Sequence, residues 1–283
     1  MYAVTGASGQ LGRLVLEELL RSTDAGDIVA LVRDPARMSQ PAARGVVVRR
    51  FDYDDGTGLG EALKGVDRLL LISSSEVGRR KAQHDAVIAA AKDANVGFLA
   101  YTSLLHADTS PLGLAGEHRA TEREIENSGL GYALLRNGWY LENYTASAET
   151  EVAHGTVIGS TGAGRVSAAS RADYAAAAAK VLLDGAMGER ILELAGAEGF
   201  TLSDYAATLA EVSGRPVIYR HLPEDDFRSA LQGMGLPAAV AGMVADSSAG
   251  AAAGALFDDG RALSRLIGRP TTKLSAAVAA AFA

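Results

Sequence analysis

Thr5-Gly6-Ala7-Ser8-Gly9-Gln10-Leu11-Gly12 decides how this chain is read. The stretch follows a short apolar run at residues 2–5. It opens a segment in which Leu11, Leu14, Val15, Leu19 and Leu20 share one helical face. A strand, a glycine turn and a helix are therefore expected in immediate succession. Gly6, Gly9 and Gly12 recur every third residue. Such a turn uses glycine to bend tightly, to bring backbone close to a pyrophosphate, and to pack helix against strand. The helix start adds unpaired N–H groups and a partial positive charge. Gly6, Ala7, Ser8, Gly9, Gln10, Leu11 and Gly12 are thus expected to cradle a dinucleotide.

Outward from the loop, apolar and β-branched runs at 28–33, 46–50, 68–72, 98–102 and 132–136 alternate with helical spacing at 81–95 and 117–127. That alternation predicts an α/β fold of the Rossmann type, a doubly wound parallel sheet. Several of the runs are apolar without alternation, as strands covered on both faces require. After residue 136 the rhythm changes. A glycine-rich stretch at 155–164 precedes helices at 203–212 and 224–233, with isolated strands at 190–194 and 217–219. The expected organisation is a dinucleotide-binding domain over 1–150 and a smaller C-terminal α/β region over 151–283. The second region would complete the substrate pocket at the sheet's carboxyl edge, with some segments returning to the sheet. Residues 245–254 read as a flexible loop or a poorly specified helix.

The 283 residues are 48% hydrophobic and 22% charged with 7 prolines, an ordinary globular composition. A net charge of −7 argues against a general basic face for nucleic acid. The absence of cysteine excludes disulfides, thiolate nucleophiles and thiolate metal sites. The start lacks the basic and apolar regions of a signal peptide. The alanine run from Ala175 to Ala179 is short and is bracketed by Arg171, Asp173 and Lys180, so no membrane insertion is expected. These features predict a cytoplasmic protein.

The end of the second strand discriminates between the nicotinamide cofactors. An acid there binds the ribose 2′-hydroxyl, whereas arginine accommodates a 2′-phosphate. Arg33 occupies that place, and its guanidinium can stack on adenine while pairing with phosphate. Asp34 follows at once, which keeps NADH use open. Asp52, after the third strand, is placed for the adenine amino group. Ser73, Ser74 and Ser75, ending the fourth, lie where the cofactor's ribose would pass.

A Y-x-x-x-K proton donor should follow the fifth strand of a short-chain dehydrogenase. The plausible register instead places Leu114 for tyrosine and His118 for lysine. Leucine cannot donate a proton, which argues against reduction of a simple ketone. A quinone relaxes the demand because its ring spreads the negative charge and water can protonate the product. The protein's task then reduces to stacking a flat acceptor beside the nicotinamide. Asn137-Gly138-Trp139-Tyr140-Leu141-Glu142-Asn143-Tyr144 follows the sixth strand, and Trp139 and Tyr140 are the candidate substrate-binding aromatics. His84 and His106 read as pocket or structural residues. No H-E-x-x-H or comparable cluster is present, so no metal is expected.

The glycine spacing is that of extended and atypical short-chain dehydrogenases, and longer motifs sharpen the resemblance. Gly6 to Gly12, Leu70-Leu71-Ile72-Ser73-Ser74-Ser75-Glu76-Val77-Gly78, Ala100 to Asp108, Leu135 to Tyr140, Arg171-Ala172-Asp173-Tyr174-Ala175 and Leu256-Phe257-Asp258-Asp259 occur in order across the chain. Together they resemble the NmrA-like atypical short-chain dehydrogenase/reductase family, within it the bacterial NAD(P)H:quinone oxidoreductases of the second type. The resemblance implies a quinone reductase without flavin or metal that prefers NADPH and uses NADH more weakly. It implies cofactor contacts at the glycine loop, Arg33, the serine run, Asn137, Gly138, Trp139, Tyr140, Leu141, Glu142, Arg171, Asp173 and Tyr174. The implied partner is a small-molecule quinone, and the protein a monomer or homodimer. No catalytic acid is supplied. Some NmrA-like proteins bind NADP to control a partner protein, so a redox sensor with little turnover is the alternative.

Overall fold

The apolar runs of the first half form the strands of one sheet because nearly every residue in them must be covered. Ile28–Val32 and Phe98–Leu104 are buried at every position, which only a sheet with helices on both faces allows. The structure is a computed structural model and describes residues 1–184 and 190–282. Its strands are β1 (Tyr2–Val4), β2 (Ile28–Val32), β3 (Val47–Arg50), β4 (Arg68–Leu71), β5 (Phe98–Leu104), β6 (Gly131–Asn137), β7 (Thr156–Gly159), β8 (Arg190–Leu194) and β9 (Ile218–His221). Seven of them form the main sheet in the order β3-β2-β1-β4-β5-β6-β8. The pairs β1–β2, β1–β4, β2–β3, β4–β5 and β5–β6 are all parallel. The order reverses between β1 and β4, which opens the crevice where ligands lie in such sheets.

Two compact units divide the chain. The first comprises Met1–Ala107, Gly116–Asn137 and Arg171–Leu192, and the second Asp108–Ala115, Gly138–Ser170 and Glu193–Ala283. This differs from a single cut at residue 150, and the reason is the helix Arg171–Leu183. It packs against the helix Gln10–Leu20 and against β4, β5 and β6. Its Ala175, Ala177, Ala178 and Ala179 are buried. Small residues let the two backbones approach closely, so a run that looks featureless in sequence belongs to the first unit. The strand expected to be isolated at 190–194 likewise forms in the main sheet.

In the second unit the glycine-rich stretch contains a strand not anticipated from sequence. Gly155 ends the helix Ala148–His154 in a left-handed conformation, after which β7 pairs in parallel with β9. The segment 245–254 is not a flexible loop: it lies largely within the helix Ala238–Ala252. Alanine supplies the propensity, Ser247 satisfies its hydroxyl on the carbonyl of Met243 at 2.8 Å, and Ala241 and Ala245 bury against Phe227 and Leu231. Among the described residues no helix is long and apolar enough to cross a membrane.

Candidate functional site

The first unit carries an open cavity of about 310 Å³ at the carboxyl ends of β1, β2, β3 and β4, within the roughly 300–1,000 Å³ of ligand pockets. Thr5, buried behind it, holds two of its lining residues, Tyr53 and Ile72. The Thr5 amide donates to Leu70 at 3.0 Å. Its buried Oγ1 accepts from the Ile72 amide at 2.9 Å and from the Tyr53 hydroxyl at 2.6 Å. Gly6 then turns the chain at φ +57, where a side chain would be strained. The Gly9 amide donates to the Gly6 carbonyl at 2.8 Å. At Gly12 a Cβ would stand 2.4 Å from the Gly6 oxygen and 2.7 Å from the Ala7 Cα. Only glycine admits this closeness of helix and turn. The helix Gln10–Leu20 has no side-chain cap and no acid in its first turn, so its leading amides are left for an anion.

Beyond β2 the chain places two arginines on the cavity, Arg33 and Arg37. Asp34 is engaged elsewhere. Its carboxylate caps the turn Pro35–Met38, accepting from the Ala36 amide at 3.0 Å. The acid that could have favoured a free 2′-hydroxyl is thus partly committed to a local cap. Arg13 ties the glycine loop to this turn, donating to the carbonyls of Ser8 at 2.9 Å and Arg37 at 3.5 Å. On the opposite side, Arg33 faces Glu76 at 3.6 Å.

The structure brings together Gly6, Ser8, Gly9, Arg33, Asp52, Ser73, Ser74 and Ser75 of the expected residues, all on this cavity. Ala7 and Leu11 are buried in the surrounding core, and Gln10 and Gly12 lie in the first helical turn. Asn137 ends β6 in the same unit, with a buried Oδ1 that has no hydrogen-bond partner. Arg171, Asp173 and Tyr174 open the helix Arg171–Leu183, where Asp173 and Tyr174 are buried. Gly138, Trp139, Tyr140, Leu141 and Glu142 belong to the second unit. There Trp139 and Tyr140 are half-buried, Tyr140 bridges Ala169, and Leu141 lines a separate cavity with Phe200 and Leu274.

Sequence reading missed Tyr53, Arg37, Glu76 and Gln83, which line the first cavity. Arg37, one turn beyond Arg33, was the one with a visible signal. His118, in the register of the absent lysine, is a buried core residue whose Nδ1 lies 2.8 Å from the Tyr101 hydroxyl. Burial, and then the Arg80 charge, push its pKa down to about 3. His84, also buried, is lowered to about 3 by the same causes. His106 sits in a left-handed turn at φ 52. Ser103, Glu122 and Arg136 form a buried polar group, with Arg136 Nε and Nη2 donating to the two Glu122 oxygens at 3.0 and 2.8 Å. Among the described residues no three His, Asp or Glu side chains gather as a metal site.

The glycine cradle that a Cβ would fill, the paired arginines and the orphaned Asn137 acceptor fit a dinucleotide carrying a 2′-phosphate. A family model described as NAD(P)H-binding matches residues 6–185, and the chain belongs to this NAD(P)H-binding family. At closer range, it is 54% identical over 282 residues to Quinone oxidoreductase 2 of Escherichia coli (strain K12), covering 100% of this chain and 99% of that one. A crystal structure of an NADPH-dependent quinone oxidoreductase from Escherichia coli complexed with NADPH matches with a TM-score of 0.98 and 54% identity, covering 100% of both chains. The triphenylmethane reductase of Citrobacter sp. complexed with NADP(H) matches with a TM-score of 0.95 and 33% identity, over 99% of this chain and 100% of that one. The fold and cofactor class expected from the motifs are those found.

Proposed function

We propose that the protein is an NADPH-dependent quinone oxidoreductase acting without flavin or metal. The observation that carries this is the full-length likeness to the Escherichia coli enzyme complexed with NADPH. The cavity supports it with two arginines beyond β2 and an aspartate held in a cap.

In this reading the glycine loop and the first turn of its helix hold the pyrophosphate. Arg33 takes the 2′-phosphate, with NADH accepted more weakly. Asp52 meets the adenine, and Ser73, Ser74 and Ser75 wall the ribose. Asn137 offers its free carbonyl oxygen to the nicotinamide half, and the resemblance adds Gly138 to Glu142 together with Arg171, Asp173 and Tyr174. When bound, the cofactor supplies a hydride. The chain's own part is to orient that cofactor and to stack a flat acceptor against Trp139 and Tyr140, because neither Leu114 nor the buried His118 can deliver a proton. Water protonates the product. The protein works in the cytoplasm as a monomer or homodimer on small quinones.

The test is oxidation of NADPH by the purified protein with a small benzoquinone and no added flavin or metal, with NADH in parallel. Rapid quinone-dependent oxidation is expected. Tight NADPH binding with no turnover across several quinones would replace this reading with an NADP(H) sensor.

A further inference from the structure

β4 ends at Leu71, and the backbone that follows leaves the sheet ladder just where it reaches the cofactor cavity. Its polar groups still need partners, and they find them on side chains from three different elements. The Ser73 amide donates to Thr102 Oγ1 of β5 at 2.8 Å. The Ser74 amide donates to His84 Nε2 at 3.0 Å, and the Ser74 carbonyl accepts from Arg80 Nε at 2.8 Å. The Gly78 amide donates to Glu117 Oε1 at 2.8 Å, while Arg80 Nη1 pairs with Glu117 Oε2 at 3.2 Å. One residue, Ser74, is gripped at both its N–H and its C=O, in the two peptide groups that flank it, by the helix Arg80–Asp93.

The grip fixes a tautomer. An amide can only donate, so His84 Nε2 must be the unprotonated nitrogen and Nδ1 must carry the proton. Nδ1 lies 2.9 Å from Thr121 Oγ1 and donates to it; the Thr121 hydroxyl in turn donates to the Glu117 carbonyl at 3.0 Å. Each member has one available role, and the chain closes on the helix Ala115–Glu126. A neutral histidine with no exposed surface and an arginine 6% exposed are costly to bury without partners. The hydrogen bonds to Ser74 and Glu117 provide those partners, and neither His84 nor Arg80 lines the cavity.

We propose that His84 and Arg80 are positioning residues for NADPH: they hold the Ser74 backbone so that the segment 73–75 presents a preformed wall to the ribose and pyrophosphate. This rests on the reading that the cofactor lies along that segment. Their action is through the backbone of Ser74 and not by contact with the cofactor.

The experiment combines steady-state kinetics with amide hydrogen exchange on the full chain. His84→Leu keeps the bulk and removes both hydrogen bonds. The Michaelis constant for NADPH is expected to rise about tenfold while that for the quinone changes less than about twofold, since only the cofactor wall is loosened. Amides of residues 73–78 should exchange faster in the cofactor-free variant. His84→Gln, whose amide oxygen reaches the place of Nε2, should restore most of the loss; His84→Asn, which reaches only the place of Nδ1, should not. If His84→Leu does not accumulate as folded protein, Arg80→Lys carries the test, because it keeps the charge toward Glu117 but removes the Nε donor. An unchanged NADPH constant in a folded His84→Leu or Arg80→Lys protein overturns the proposal. A wild-type segment 73–78 that gains no exchange protection from NADPH overturns the underlying reading of the wall instead.

Discussion

On one side of the cavity the glycine loop takes its shape chiefly from backbone geometry, with Gly6 in a left-handed conformation and Gly12 against the Gly6 carbonyl. On the other side the segment after β4 keeps its shape through Thr102, His84, Arg80 and Glu117, which come from β5 and two helices. The first wall is sensitive to added volume and indifferent to protons. The second tolerates volume changes at its surface but depends on the protonation and identity of side chains far along the chain. A single ligand site can thus fail in two physically distinct ways.

The sharpest way to break the first wall is Gly12→Ala. Alanine would gain about 1 kcal/mol of helix propensity, but overpacking against two backbone atoms costs about 3 kcal/mol and wins. Loss of NADPH binding together with a lowered melting temperature is expected; a variant that binds NADPH normally would show that the loop can relax. Acid attacks the second wall. His84 and His118 are held neutral with pKa values lowered to about 3, whereas the unfolded chain takes up these protons near pH 6.5. The unfolded state therefore binds more protons between those values, and stability is lost as pH falls. The two together should cost about 2 kcal/mol on going from pH 6.5 to 5.5, measurable by denaturant titration and reduced by about half in His118→Gln.

Arg33→Ala lies on the rim between the walls and should leave both standing. A tenfold rise in the Michaelis constant for NADPH, about 1.4 kcal/mol, with little change for NADH, is expected; equal effects on both cofactors would remove its assigned role. The smallest effect is Thr102→Val, which leaves the Ser73 amide without its partner. About 1 kcal/mol of stability should be lost, with a rise of about twofold to threefold in the NADPH constant and none in the quinone constant.

The difference between the walls also explains what could be read beforehand. Glycines at 6, 9 and 12 announce themselves because the geometry they permit is local, and Arg33 and Asp52 follow from strand ends. The serine run was visible, but what holds it was not: Thr102, Glu117 and Thr121 lie 28 to 47 residues from Ser74 in the sequence, and nothing in a histidine's neighbours tells which peptide its ring will meet. His84 therefore reads only as a pocket or structural residue, without its partner. The alanine run 175–179 reads as an amphipathic or buried helix, but its place in the first unit was hidden for a related reason. Its alanines show no strong face, and only the helix beside it reveals that their smallness is what matters. The segment 245–254 read as a flexible loop or a poorly specified helix because Ser247, Ser248 and two glycines interrupt its alanines, while the burial of Ala241 and Ala245 decides for a helix.

The first unit is assembled from three stretches of chain, the last of which arrives only after the 138–170 excursion. On the ribosome, β6 and the face of β4 to β6 must therefore wait, uncovered, until the helix Arg171–Leu183 and β8 have emerged. An open strand edge and bare apolar sheet invite wrong pairing. The helix Gln10–Leu20, which begins at the glycine loop, waits for the same late cover.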